Sequence, residues 1–330
     1  MKDLAVIILN WNGEKLLKEF LPIASRLTID ADTDLIVADN GSTDGSVAWV
    51  RENHPEVKIV QLPENYGFAE GYNRAVKATG YRYTLLLNSD VEVTPGWVAP
   101  LLKFMREHPD VAAVQPKIRS YRRREMFEYA GAAGGYLDSF GYPYCRGRLF
   151  DSIEEDLGQY DDAPADICWA SGAALLVNTA DYERVGGLDA DFFAHMEEID
   201  LCCRFHAIGR RVCFVPDSVV YHVGGASLDA SDPRKTYLNF RNNLLLLHKN
   251  MPRREGKRLL FKRRLMDTLA FGMFLAKGKW GHAGAVIRAH NDFRRMRRKY
   301  TDLPRENFLT RLPGAGRNIV VDRYLRGKKK

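Results

Sequence analysis

Four apolar runs in the first 120 residues each stop on asparagine, aspartate and glycine. LAVIIL (4–9) stops on NWNG (10–13) and DLIVAD (34–39) runs into DNGSTDGS (39–46). VKIVQL (57–62) is followed by ENYGFAEGYN (64–73), and YTLLL (83–87) by NSDVEV (88–93). Runs this short and this apolar read as strands, the first and the fourth as buried ones. Between them lie stretches of helical period. One is 15–27, with Leu16, Leu17, Phe20, Leu21 and Ile23; the others are 45–53, 68–79 and 95–107. Ser42 and Thr43 are the N-cap candidates for the second. A fifth strand is expected at 111–115. Strands alternating with helices make βαβ units, hence an α/β fold with a doubly wound, mostly parallel sheet. Ligands of such sheets bind at the carboxyl ends of the strands, where these loops fall.

Residues 120–165 change character, with Gly, Tyr and Arg and then an acidic stretch from Asp151 to Asp166; loops and a short antiparallel ribbon are expected. Core signal returns at Ala173–Val177, Arg211–Val215 and Val219–Tyr221. From about Asp232 the pattern is helical, ending in two basic amphipathic helices near 255–276 and 280–299. The only low-complexity segment is the terminal Lys328-Lys329-Lys330.

At 330 residues, 45% of them hydrophobic, the chain can bury a large core. Charge is divided along it. Residues 1–250 carry 26 basic and 36 acidic side chains, whereas residues 251–300 carry 15 and 3. An acidic body with a basic appendage points to a polyanionic surface as the appendage's partner. The start, MKDLAVIILNWNG, lacks the basic segment of a signal peptide. The longest apolar stretch, Thr268 to Ala276, is half of what a membrane-spanning helix needs. The five cysteines (Cys145, Cys168, Cys202, Cys203, Cys213) form no CxxC pair and read as reduced thiols of a cytosolic protein.

No GxGxxG follows the first strand and no GxxxxGK[ST] occurs, so neither usual phosphate cradle is present. Asp90, at the end of a buried strand, is costly without a metal or a donor beside it. A divalent ion held by one or two carboxylates and by phosphate oxygens is the arrangement Mg²⁺ or Mn²⁺ adopts. A second acidic cluster lies in FFAHMEEIDLCCR (192–204). If 196–205 is a helix, Glu197 and Asp200 share a face and Glu198 points elsewhere. A carboxylate held among Phe192, Phe193, Leu201 and Cys202 has a raised pKa and suits a general base. His222 ends a strand as Asp90 does, and a metal role is open to it. Arg241, in NFRNN, could meet a phosphate with its planar fork.

Taken together, VIILNWNG, LIVADNGSTDGS, NYGFAEGYNRA, LLLNSDVEV, ASGAALLV, GGLDADFFAHMEEIDLCCR and VYHVGGAS resemble the family 2 glycosyltransferases of GT-A fold. The nearest pattern is that of rhamnosyltransferase-like bacterial enzymes that build surface polysaccharides. The resemblance covers about residues 4–250. It implies a GT-A domain over 1–250, with a nucleotide-binding half to about 120 and an acceptor half beyond, followed by a basic helical extension at 251–330. It also implies roles by position. Asn10 and Asn12 would lie against the nucleotide, Asp39 would bond a pyrimidine base, and Asn65, Gly67 and Asn73 would line the nucleotide and ribose pocket. Asp90 would stand in the metal-binding Asp-x-Asp motif, with Asn88 in place of its first aspartate. Glu197-Glu198 stands for the usual Glu-Asp, the second residue being the base. His222 stands where some members have a third metal ligand. Trp169, Ser171 and Gly172 would face the acceptor.

Two departures from the pattern matter. Asn88 removes a charge from the metal site, and Glu198 adds a methylene to the base, so Glu197 and Asp200 remain alternative bases.

The expected reaction is an inverting transfer from a nucleoside-diphosphate-sugar to a hydroxyl of a glycan or lipid-linked glycan. The resemblance favours rhamnose, with UDP- and GDP-sugars as alternatives. A nucleotidyltransferase would want a glycine-rich basic loop after the first strand, which NWNGEKLL is not. A degenerate binding module would not need acids at 90, 197, 198 and 200. The basic region 251–300, interleaved with Leu259, Leu260, Phe261, Leu265, Phe271 and Phe274, suits an anionic lipid surface better than nucleic acid. The expected location is the cytoplasm, with peripheral contact at the inner face of the cell membrane.

Overall fold

The computed structural model describes residues 2–224, 232–324, 326 and 327. Positions 225–227 of the VYHVGGAS motif and the lysines at 328–330 lie outside the described residues. The nucleotide half follows the alternation closely: β1 (Leu4–Asn10), α1 (Glu14–Thr28), β2 (Thr33–Asn40), α2 (Ser46–Asn53), β3 (Lys58–Leu62), α3 (Gly67–Thr79) and β4 (Tyr83–Leu87). Then come β5 (Val91–Val93), α4 (Val98–Glu107) and β6 (Val111–Ser120). Ser42 and Thr43 do not cap α2; Gly45 precedes it without a side-chain cap, because Ser42 is turned toward Asn10 and Asn12.

Four small strands follow, β7 (Gly135–Leu137), β8 (Pro143–Cys145), β9 (Arg148–Leu149) and β10 (Ser152–Ile153). They pair antiparallel into a separate sheet. The chain continues through β11 (Ala165–Asp166), β12 (Ala174–Asn178), α5 (Thr179–Arg184), α6 (Glu197–Ala207) and β13 (Arg211–His222). It closes with α7 (Pro233–Lys249), α8 (Arg253–Ala276), α9 (Trp280–Met296) and α10 (Ile319–Tyr324).

The large sheet has the order β11-β13-β6-β12-β4-β1-β2-β3, with β5 against the end of β13. Strands β3, β2, β1 and β4 are parallel, and β12 enters antiparallel between β4 and β6. Both faces are covered, and the period of two divides the core. Leu4, Val6 and Ile8 pack with Leu17, Leu21 and Leu101 of α1 and α4. Ala5 and Ile7 pack with Tyr72, Ala75 and Val76 of α3 on the other face. The five cysteines are free and buried.

The C-terminal helices are not a loose tail. Leu260, Phe293 and Ile319 join the same core as α3 and α6. Helix α8 buries Gly256, Leu260, Arg263 and Asp267. Arg263 bonds Asn243 of α7, and Asp267 meets Nε2 of His290 of α9 at 2.9 Å. Its opposite face carries Phe261, Leu265, Leu269 and Met273, each more than half exposed. Among the described residues, no helix is long and apolar enough to cross a membrane.

Candidate active site

Strands β1 and β2 run in register with Asn10 beside Asp39. Asn10 is buried, and its amide donates to Asp39 Oδ1 (3.1 Å), Ser42 Oγ (3.1 Å) and Ser46 Oγ (2.9 Å). Its Oδ1 accepts from the Gly13 amide. Asp39, also buried, accepts from the Ser42 amide at 3.2 Å. Asn12 holds a positive φ of 49° and accepts from the amides of Thr43 (2.8 Å) and Asp44 (3.3 Å). These residues therefore knit the first two strand-end loops into one wall. Asn65 accepts from Asn40 Nδ2 (3.0 Å) and the Gly67 amide (2.8 Å), so the third loop is tied to the second. Asn40, not singled out in the sequence, is the buried pin of that tie; it also accepts from the Tyr66 amide. Gly67 has φ +78° and faces open space.

Asn73 departs from its expected place. Its Oδ1 accepts from Tyr182 Oη (2.6 Å) and the Leu188 amide (2.9 Å), and its Nδ2 donates to the Leu188 carbonyl (2.8 Å). Every polar atom is spent fastening α3 to the loop before α6, which leaves none for a ribose.

The end of β4 forms a second corner. The Asn88 amide bonds the Ala173 carbonyl at 3.0 Å, and no described residue bonds the Asn88 side chain. Asp90 Oδ1 lies 3.2 Å from His222 Nε2, and His222 Nδ1 lies 3.6 Å from Glu128 Oε1. All three side chains are buried. Burial alone would lower the His222 pKa, but Asp90 and Glu128 on either side raise it to about 10. Burial opposes ionisation of Asp90 too, and the imidazole holds its carboxyl below the usual range. Glu128 had no motif to announce it. Among the described residues, no group of three or more His, Cys, Asp or Glu side chains is arranged to hold a metal ion.

The third corner is the start of α6. Glu197 is buried, Asp200 is fully buried, and Glu198 alone turns out, half-buried. Gly172 stands against it: a Cβ added there would meet Glu198 Cβ at 3.7 Å and Cγ at 3.9 Å. Oε2 of Glu198 and of Glu197 is sealed without a hydrogen-bond partner. Burial raises the Glu198 pKa to about 7; burial and then the Glu198 charge push Glu197 well above the carboxylate range. Asp200 is no free base. Its Oδ2 accepts from Arg204 Nε and Lys249 Nζ, both at 2.8 Å, and its Oδ1 from Asn250 Nδ2 at 2.8 Å.

The loop that delivers Glu198 is strained. Phe193, His195 and Met196 have φ of 66°, 68° and 73°, a region costly for residues with a side chain. Helix α7 holds it there. Arg241 does not face a ligand: it is buried, and its Nη2 donates to the carbonyls of Asp191 (3.1 Å) and Phe192 (2.8 Å) while Nε donates to Asn242 Oδ1 (2.9 Å). Asn242 Nδ2 reaches the carbonyls of Phe192 (2.9 Å), Ala194 (2.8 Å) and His195 (2.7 Å). Sequence reasoning stopped at Arg241; the signal for Asn242 was the next letter of NFRNN. Asn242→Leu should slow transfer about tenfold, with the thermal shift produced by donor unchanged. An unaltered turnover would show that the loop needs no clamp.

Of the three residues expected to face an acceptor, only Gly172 lies beside Glu198. Trp169 is buried, its indole against Gly135 and its Nε1 donating to the Tyr136 carbonyl at 3.0 Å. Ser171 is buried too and donates to the Ala130 carbonyl at 2.7 Å. Both brace the loop from behind. The second and third corners nonetheless meet, because Asn88 bonds Ala173, next to Gly172, and Gly172 abuts Glu198.

A sheet of this order, with acids gathered where β4 and β12 meet, defines a glycosyltransferase of GT-A fold. Residues 5–155 match the family model described as glycosyl transferase family 2. An N-acetylglucosaminyl-diphospho-decaprenol L-rhamnosyltransferase of Mycobacterium tuberculosis is 26% identical over 237 residues, 66% of this chain and 75% of that protein. The mannosyltransferase PcManGT from Pyrobaculum calidifontis, in complex with GDP-Man and Mn²⁺, shares the fold. Its TM-score is 0.54 at 17% identity, over 88% of this chain and 86% of that one. S. aureus TarS with UDP-GlcNAc does so with a TM-score of 0.57 at 17% identity, over 89% and 80%. The protein is a glycosyltransferase of GT-A fold.

Proposed function

We propose that the chain moves a sugar, L-rhamnose by analogy with its mycobacterial relative, from a nucleoside-diphosphate donor to a hydroxyl of a lipid-linked glycan, with inversion. The observation that carries this reading is Glu198: a half-buried carboxylate with one unpartnered oxygen, beside Gly172, across the strand ends from Asn88 and Asp90. Glu198 takes the proton of the acceptor hydroxyl. The oxygen attacks the anomeric carbon, the bond to the diphosphate breaks, and the nucleoside diphosphate leaves. Asp39 and the Asn10–Asn12 and Asn65–Gly67 loops wall the donor side.

Asp90 offers a divalent cation one hard oxygen donor at a strand end, and Mg²⁺ or Mn²⁺ needs only one or two carboxylates beside substrate phosphates. His222, 3.2 Å away, would join it as a borderline nitrogen donor once it gives up the proton that pairs it with Asp90. When bound, the ion would supply charge to the leaving diphosphate. Melting of the protein with dTDP, UDP or GDP and Mn²⁺ tests this. A ligand bound only to the folded state raises the midpoint. We expect a rise with one base that chelator or Asp90→Ala removes. A rise insensitive to both would remove the metal from the reading.

The reading places the enzyme in the cytoplasm with α8 on the inner face of an anionic membrane. Phe261, Leu265, Leu269 and Met273 recur every four residues on one exposed stripe, beside Arg254, Arg258 and Lys262. Such a face suits a lipid interface. Replacing the four apolar residues by serine should abolish co-flotation with anionic vesicles; equal flotation would sink the membrane contact.

A further inference from the structure

Arg148 is an arginine without a direct ion pair. It lies on β9, 8% exposed, and among the described residues no carboxylate comes within ion-pair distance of it; Glu128 acts on it only from farther off. A buried charge left unpaired is costly, and nothing in the reaction just described uses it. Nη2 reaches only Cys145 Sγ, at 3.6 Å, and Nε is sealed without a partner. Nη1 is neither bonded nor sealed. The ring of Tyr129, half exposed, covers the guanidinium at 4.3 Å.

The position of this pair is informative. Tyr129 lies between Glu128, beside His222, and Ala130, whose carbonyl holds Ser171. Ser171 precedes Gly172, which touches Glu198. Tyr129, which covers the Arg148 guanidinium, thus lies on the stretch of chain joining the Asp90 corner to the Glu198 corner.

We propose that Arg148, capped by Tyr129, is the subsite for a phosphate ester carried by the acceptor. Guanidinium pairs with phosphate oxygens through charge-assisted bonds, and a bound phosphate gives the buried cation the direct partner that Glu128, farther off, does not supply. This rests on reading this edge as an acceptor site, but it is tested without turnover.

The probe is geranyl diphosphate, titrated calorimetrically in chelator so that nothing bridges it to Asp90. Saturable binding to the wild type is expected, weakened about tenfold or more in Arg148→Met. Arg148→Lys should fall between, since lysine keeps the charge and loses the fork. If Arg148→Met shows no cooperative unfolding, the Lys variant decides alone. Inorganic pyrophosphate is the second arm. Weaker binding than geranyl diphosphate assigns the site to a lipid-borne phosphate, and equal binding assigns it to a free one. No binding to the wild type, or binding indifferent to residue 148, overturns the proposal. Release of nucleoside diphosphate is measured separately, so a chain that binds the probe through Arg148 and transfers nothing would refute the function and leave the subsite standing.

Discussion

Glu198→Gln should lower sugar transfer by roughly two to four orders of magnitude, the range a positioned general base supplies, and leave donor binding intact. Glutamine keeps the shape beside Gly172 and cannot take a proton. The same change should also alter stability, with a sign that a bystander would not produce. The Glu198 pKa stands at about 7 in the fold, above its ordinary value of 4.5, because burial disfavours its charge. The folded state therefore holds this proton more tightly than the unfolded chain does. Its contribution to stability is fully present below about 4.5 and is lost as pH rises through about 7. Glu198→Gln removes that loss, so the variant should melt higher than the wild type at pH 8 and no higher at pH 4. In the wild type, transfer should rise with pH through about 7, as the base ionises. A variant that is inactive but no more stable at pH 8 would put the critical proton on another group.

The order of strands and helices was legible because burial on both faces leaves an uninterrupted apolar signal. Strand β4 falls where YTLLL placed it, residue for residue. The apolar signal of β6 covers only 111–115, and Pro116, which cannot donate to a ladder, follows it. The strand runs on to Ser120 because its register with β13 slips between Val215 and Val219, beside that proline. The sheet of β7–β10 has strands of two or three residues, too short for any period to show.

Site residues divided by a different rule. Asp39 and Asn10 stand side by side on adjacent strand ends, and their partners lie within those two asparagine- and aspartate-rich loops. Asn73, Trp169, Ser171 and Arg241 could not be placed from the sequence around them. Their partners are Leu188, Tyr136, Ala130 and Phe192, between 33 and 115 residues away in the chain. A strand-end or helical asparagine looks the same whether its amide faces a ligand or another loop. Glu128 and Arg148 lacked any motif, and only their burial beside His222 and Tyr129 marks them.

Asp200 separates a base from a structural charge most sharply, and Asp200→Ala should be the most destabilising single change in the site. The carboxylate has no exposed surface and binds Arg204, Lys249 and Asn250 at 2.8 Å each. Arg204 and Lys249 are themselves only 16% and 15% exposed along their side chains. Removing the anion strands the mostly buried Arg204 and leaves Lys249 to Asp189 alone, at 2.6 Å, a loss of about 3–5 kcal/mol, read as a fall in the denaturant midpoint. It also frees α6 from α7, the helix whose Arg241 and Asn242 hold the Glu198 loop. Asp200→Asn keeps the volume and part of the hydrogen bonding, so it should fall between. The folded fraction of the Asn variant should still transfer sugar, with the wild-type rise through pH 7, since Glu198 is untouched. A stable Asp200→Asn protein without turnover would reverse the assignment: Asp200 would be the base, and its contacts with Lys249 and Arg204 would be the means of holding it ionised.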